Sequence, residues 1–491
     1  MSLSTLIIAF TITGALFTLG MNLWIQKPKS WIISFLQHFC GVWFVFSGFV
    51  KAVDPMGTAF KMEQYFAAFQ QTFEPTWFGF LAPLFPWMAQ SAVSISIGMI
   101  LLELLVGFAL IIGFKPKLTA WVFFLLLIFF TLLTGFTYLT GYVPSGKNFF
   151  EFAAWGSYEK EQMRVSDCGC FGDFLKLDPK VSFFKDLFLL IPGFIFIYWQ
   201  KLQHQLWTPA RRALILIAVL IGAGAFCYYN TYMNEPLWDF RAFKAGADIR
   251  TTRKAELDAA QQQKIEFAAV KNKNTRETIQ VPYAVYMKEF KKYPKEEWEV
   301  KFLYDETTVA KTKVSDFIIL DVDGAEVTQE LLSENKPMLM INAYKVHGMT
   351  IEEKTIIQDS VFTDSLYLVS KDTVRIKKFS RTSSREEIKP VFVPDSADAS
   401  FFINEINRLA HPLMDAGLKV VAVTGGLGSA QIKDFAAYIG ARYPIYQADD
   451  ILLKTMMRSN PGLILWNDGK IINKWHARHL PSMETILALT K

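Results

Sequence analysis

Long apolar runs fill the first part of the chain and stop after Asn230. Six of them come close to the ~20 residues a helix needs to cross the ~30 Å hydrocarbon core of a bilayer. They cover residues 5–25, 31–50, 91–113, 118–140, 183–199 and 213–229. The fifth is short, opens on Lys185 and Asp186 and holds Pro192. Between the second and third, Phe60, Tyr65, Phe66, Phe69, Phe73, Trp77 and Phe78 form an aromatic-rich amphipathic stretch. That pattern predicts a helix lying at the bilayer surface; a platform for a partner is the alternative reading.

After Asn230 charged residues return. Residues 244–313 are rich in Lys, Glu and Thr and read as a solvated connector with short strands and helices. From Asp316 onward strand and helix patterns alternate. Apolar runs at 317–320, 338–343, 366–369 and 418–423 read as strands, and 399–416 and 429–439 have helical periodicity. Residues 463–466 and 471–475 flank Asn467-Asp468-Gly469-Lys470, a hairpin signal. The expected fold is therefore an α-helical polytopic membrane bundle followed by a soluble α/β domain with the strand–helix order of thioredoxin. The expected division is 1–230 transmembrane, 231–315 connector and 316–491 thioredoxin-like.

Composition agrees with a membrane half and a soluble half. Of 491 residues 52% are hydrophobic and 20% charged, against about 25% charged in a typical soluble protein. A disordered chain, a fibrous repeat and a wholly soluble enzyme are excluded. A net charge of +5 gives no reason to expect nucleic acid. The lipid bilayer is the expected surrounding. Lys27 and Lys29, Lys115 and Lys117, and Lys201, Arg211 and Arg212 occupy three alternate short loops, which predicts that these face the cytoplasm. The N-terminus, residues 51–90 and 141–182, and everything after Asn230 then share the outer face. No basic start or small-residue cleavage site precedes the first run, so it reads as a retained helix. The expected location is a bacterial inner membrane, with the N-terminus and the C-terminal domain periplasmic.

The chemistry-bearing run is Asp167-Cys168-Gly169-Cys170-Phe171-Gly172-Asp173. Two cysteines one residue apart in an outer loop read as a candidate thiol pair, Cys168 and Cys170, because so small a disulfide ring is strained and readily reduced. A purely structural disulfide is the competing reading, with Cys227 as a possible partner; Cys40 reads as a buried thiol. No metal site is expected, since no His lies near the pair. Glu103 and His38 fall inside apolar runs, where ionisable groups are costly and face the bundle interior or a partner. They read either as a proton relay or quinone contact, or as a mutual hydrogen bond that fixes packing. Thr424-Gly425-Gly426-Leu427-Gly428-Ser429 lacks a phosphate-loop lysine and reads as a plain strand–helix turn. Asn460-Pro461 precedes a strand where a thioredoxin-like order has a cis peptide, which makes these two residues the expected partner-binding face. The chain has no cysteine after Cys227, so that domain has no thiol chemistry of its own.

Three runs carry a family resemblance: Ser47-Gly48-Phe49-Val50-Lys51-Ala52-Val53-Asp54-Pro55, Glu103-Leu104-Leu105-Val106-Gly107, and the cysteine run. Residues 31–199 resemble the DoxX/MauE-like membrane proteins in the form found in Bacteroidetes. Asp239-Phe240-Arg241 with Lys244, and Leu453-Lys454-Thr455-Met456-Met457-Arg458-Ser459-Asn460-Pro461-Gly462, look like the periplasmic extension of those proteins. The resemblance implies a four-helix core with the first and last helices added. It also implies a thiol or redox setting, with quinone as a possible cofactor and a periplasmic or membrane protein as partner. The expected role is disulfide or quinone-linked redox handling through Cys168 and Cys170. A non-catalytic scaffold for envelope protein assembly is the alternative. The resemblance does not decide whether the chain is an enzyme.

Overall fold

The computed structural model describes residues 2–165, 169–275, 277–305, 309, 312–369 and 372–490. The first half is helical: α1 (Leu3–Trp24), α2 (Trp31–Val53), α3 (Pro55–Phe73), α4 (Leu84–Gln90), α5 (Ala92–Ile112), α6 (Pro116–Thr140), α7 (Pro179–Tyr198) and α8 (Pro209–Tyr228). Among the described residues six helical segments are long and apolar enough to cross a membrane, at the six places where the apolar runs lie. The chain is a multi-pass membrane protein. Its outward-facing residues fit lipid: Ile8, Leu132, Phe188 and Ile221 are each at least 60% exposed.

Helix starts follow local chemistry. Ser30, Asp54, Asp178 and Thr208 accept a backbone N–H as N-caps of α2, α3, α7 and α8. Proline occupies the first helical position of the last three, where its missing N–H costs nothing. That cap moves the start of α7 to Pro179, one turn before the apolar run. Lys185 and Asp186 therefore lie inside the helix, not at its mouth.

Helix α2 packs on α5 and α7, α6 packs on α7, α1 lies against α2, and α8 lies against α5. The α2–α5 approach depends on glycine. A Cβ on Gly107 would stand 2.9 Å from the Gly41 carbonyl, and one on Gly41 would stand 2.8 Å from the Gly107 carbonyl. Small residues at both positions let the two backbones touch. Helix α3 is packed inside the protein rather than laid on a surface. Tyr65 shares a 2.7 Å hydrogen bond with Thr137 of α6, and Phe69 meets Phe136 at 4.9 Å between ring centroids.

The second half is a mixed α/β domain. It contains α9 (Ile249–Gln262), β1 (Ile265–Asn272), β2 (Thr278–Pro282), α10 (Tyr283–Glu289), β3 (Trp298–Tyr304), β4 (Ile319–Leu320), α11 (Thr328–Leu332) and β5 (Met338–Ala343). Then follow β6 (Gly348–Val369), β7 (Asp372–Pro394), α12 (Ser396–Phe401), α13 (Asn407–Asp415), β8 (Lys419–Thr424), α14 (Ser429–Ile439), β9 (Ile445–Ala448), α15 (Asp450–Met456), β10 (Gly462–Asn467), β11 (Lys470–His476) and α16 (Met483–Leu489).

The central sheet has the order β11-β10-β5-β8-β9-β4. Strands β5, β8 and β9 are parallel, while β10 is antiparallel to β5. Residues 366–369 are not part of this sheet. They end β6, which among the described residues pairs only with β7 as a separate two-stranded ribbon. Strand β9 takes the place in the central sheet. Within the connector, β1, β2 and β3 form their own antiparallel sheet. Phe243 and Ile249 from the same stretch are fully buried with Phe317, Met340 and Ile464. The α/β core thus begins well before Asp316, because those two side chains close one face of its sheet.

Candidate functional site

The chain runs singled out in the sequence converge on one place. Helix α2 ends at Val53, and Asp54 follows it one turn after Lys51. Lys51 lies inside the bundle and holds Glu103 of α5 at 2.7 Å; both are almost fully buried. Ser47, one turn back, accepts from Lys51 at 3.3 Å and donates to the Cys170 carbonyl at 2.9 Å. From the opposite side α7 supplies a second buried pair, Lys185 with Asp186. Thr134 of α6 donates to Asp186 at 3.0 Å. Lys185 also lies 5.9 Å from the ring centroids of both Trp43 and Phe171. Four core helices thus each place a polar side chain around Cys170.

Above this layer the α/β domain adds Arg458. Its guanidinium reaches Asp54 at 2.6 Å and Asp173 at 3.0 Å. A Cβ at Gly57 would stand 2.8 Å from it, so glycine is what lets it approach the first turn of α3. Burial pushes the Asp54 carboxyl up, but the Arg458 charge and hydrogen bond, with Arg241 and the Gly57 N–H, hold it below the usual range. Glu235 accepts from the backbone N–H of Arg458 and Ser459 and pairs with Arg241 at 2.7 Å. Asp239 pairs with Arg241 at 2.7 Å and with Lys474 at 2.9 Å. Lys454 holds Glu63 at 3.2 Å. The α/β domain is therefore docked on α2, α3 and the cysteine loop through buried charge.

A cavity of about 580 Å³ lies between these two layers. Ser47, Lys51, Glu103, Cys170, Asp186 and Arg458 line it, with Phe44, Leu127 and Phe130 on its apolar side. Cys170 is a free thiol, partly exposed. Burial pushes that thiol up, while the Lys185 and Lys51 charges pull it back. The arrangement offers a thiol, buried proton carriers and an apolar wall to one small guest, the usual build of a ligand site.

Other expected site residues lie elsewhere. Cys168 lies outside the described residues. Cys227 is a free thiol in an apolar cluster with Ala52, Ile100 and Leu104, and Cys40 is likewise free and buried. His38 and Glu103 do not meet. His38 is 13 residues before Lys51 on α2, roughly 20 Å along the axis. It instead bonds Thr18 at 2.9 Å and stacks on His204 at 4.5 Å. Burial lowers His204 to about 4, so this imidazole is neutral at neutral pH. The Asn460–Pro461 bond is cis. Asn460 exchanges hydrogen bonds with the Lys345 backbone at 2.6 and 3.3 Å, and Pro461 is buried. Next to them Tyr344 packs edge-on against Phe60 of α3. This face of the α/β domain is thus turned toward the chain's own membrane half.

Sequence reasoning missed Lys51, Lys185, Asp186 and Arg458 as site residues. The first three sit at the ends of apolar runs and look like flanks. For Lys185 and Asp186 the available signal was their place about two turns inside a capped helix, whereas Lys51 lies in the last turn of α2. Arg458 and Asp54 both lie in quoted runs, yet nothing local links residues so far apart. No protein-family model, curated protein or solved structure matches this chain.

Proposed function

We propose that this is an inner-membrane protein of the DoxX/MauE type that handles thiol and disulfide redox chemistry on the periplasmic side. The observation that carries this reading is the position of Cys170 in a cavity bordered by two buried lysine–carboxylate pairs. The thioredoxin-like reading of the α/β domain is supported by parallel β5 and β8 beside antiparallel β10 and β11. A periplasmic location is supported by the basic residues in the loops at the end away from that domain.

In the proposed exchange, the thiolate of Cys168 or Cys170 attacks a partner's disulfide. The partner sulfur leaves as a thiolate and takes up a proton. The second cysteine then attacks the mixed disulfide, closes the Cys168–Cys170 bond and releases the partner as a dithiol. Two electrons pass to the partner. Lysine–carboxylate pairs beside the sulfur offer a route for the two protons. The cavity also offers an apolar wall to a quinone as an eventual electron acceptor or donor.

The test is trapping in cells. Cys168→Ser and Cys170→Ser single variants should each hold a mixed disulfide with a periplasmic protein, and the double variant should lose function. Full function in the double variant, with no trapped species, would sink the exchange. A second reading, a non-catalytic scaffold in envelope assembly, is favoured by one observation. The cysteine-free α/β domain is held to the bundle through Arg458, as a fixed platform would be.

A further inference from the structure

Strands β6 and β7 make a ribbon of 22 and 23 residues. At about 3.3 Å per residue it is roughly 70 Å long. Among the described residues only its base is held. Phe392 is buried in the domain core and its N–H donates to Asp434 at 2.9 Å, while Gln431 bonds Thr350 at 3.3 Å. Beyond that base Ile356, Phe362, Phe379 and Ile388 are between 53% and 67% exposed. Among the described residues both outer edges carry backbone groups with no ladder partner, since the ribbon is a two-stranded sheet by itself. An isolated ribbon of this kind is marginal in water, and open edges recruit further strands.

Charge selects the partner. Among the described side chains β6 carries Glu352, Glu353, Asp359 and Asp364 against one cation, Lys354. Strand β7 carries Lys377, Lys378, Arg381 and Lys389 against Glu386 and Glu387. The match runs block by block in the antiparallel register. Glu353 stands opposite Lys389 and Asp364 opposite Lys377, while Lys354 lies 3.8 Å from Glu386. Every strand has two edges, so the outer edge of β6 remains complementary to the outer edge of a second β7. Two β6 edges, or two β7 edges, would oppose like charges, which destabilises a strand pair.

We propose that the ribbon joins copies of this chain head to tail, the β6 edge of one against the β7 edge of the next. Such a contact is antiparallel, like the pairing within the ribbon. It is heterologous, so it closes only as a ring. Chains sharing one membrane have their rotation axes along the membrane normal, which is the geometry a ring requires. Closure into a ring of ribbons would leave no open edge.

The test uses the full chain in nanodiscs. Equal amounts of ¹⁵N-labelled and unlabelled protein are combined, treated with a zero-length carbodiimide and digested. Mixed-label peptides that join the β6 carboxylates to the β7 lysines are expected. A variant replaces residues 354–388 with Asn-Gly. The base pairing of Gly348 with Pro394 is kept, so the core anchor at Phe392 stays. This variant should be monomeric by mass photometry where the wild type is not. A monomeric wild type, an oligomer that survives ribbon removal, or mixed-label links confined to other segments would each overturn the proposal.

Discussion

Arg458 and Asp54 stand 404 residues apart in the chain and 2.6 Å apart in the fold. Asp54 caps α3 at the mouth of the bundle, and Arg458 follows α15 in the α/β domain. Their contact fixes the roof of the cavity that Cys170 lines. Removing one partner of a buried pair leaves an uncompensated charge, a cost of about 3–5 kcal/mol. Arg458→Ala should release the α/β domain from the bundle, seen as faster limited proteolysis between residues 230 and 250. Arg458→Lys should rescue only in part, since an ammonium cannot fork across Asp54 and Asp173. Because the folded carboxyl of Asp54 lies below its unfolded value, its contribution is complete above about pH 4. It is lost only as pH falls through that lower folded value. The Asp54–Arg458 contribution to docking, measured by proteolysis, should therefore not change between pH 5 and 7.

The Lys51–Glu103 pair gives a second test. Lys51→Met alone leaves Glu103 buried without its partner, and the thermal midpoint in detergent should drop by the equivalent of roughly 3–5 kcal/mol. Lys51→Met with Glu103→Met together should restore most of that loss, since an apolar pair of similar volume fits a buried site. A double variant no better than the single would show that the pair does not act as a unit.

Lys474 predicts an alkaline effect. Burial and the neighbouring Arg241 charge pull its ammonium down to about 8, against Glu235 and Asp239. The unfolded value is about 10.4. The folded chain gives up this proton first, so the unfolded chain holds more protons between about pH 8 and 10.4. Stability of the α/β domain should rise with pH across that window, and Lys474→Met should remove this component of the rise. Denaturant midpoints for both proteins check it.

Cys170 should alkylate slowly. Burial raises its thiol, so little thiolate exists at neutral pH. Iodoacetamide labelling followed by mass spectrometry should lag a model thiol at pH 8, and Arg458→Ala should speed it by opening the cavity roof. Equal rates with and without Arg458 would show that the roof does not control access.

A fourth kind of variant tests the bundle itself. Gly107→Ala would set a methyl group against the Gly41 carbonyl and Val45, and overpacking of this kind costs about 1–3 kcal/mol. The thermal midpoint in detergent should fall, while Gly98→Ala, which meets open space, should leave it nearly unchanged.

The sequence by itself determined the six membrane-length helices, because twenty apolar residues have no other stable fate in this chain and their caps are local. It also determined the strands of the central sheet whose pattern is continuous, such as 338–343 and 418–423, and the hairpin at Asp468-Gly469. Only the tertiary structure decided the rest. Residues 366–369 look like a core strand, yet they lie in a ribbon, because a β pattern does not name the strand it pairs with. Lys51 and Lys185 look like membrane flanks, yet α2 and α7 turn them inward, because only facing helices supply Glu103 and a shared cavity. Asp54 and Arg458 carry no local signal of each other. Their attraction is short-ranged, and it acts only after folding has brought the two halves of the chain together.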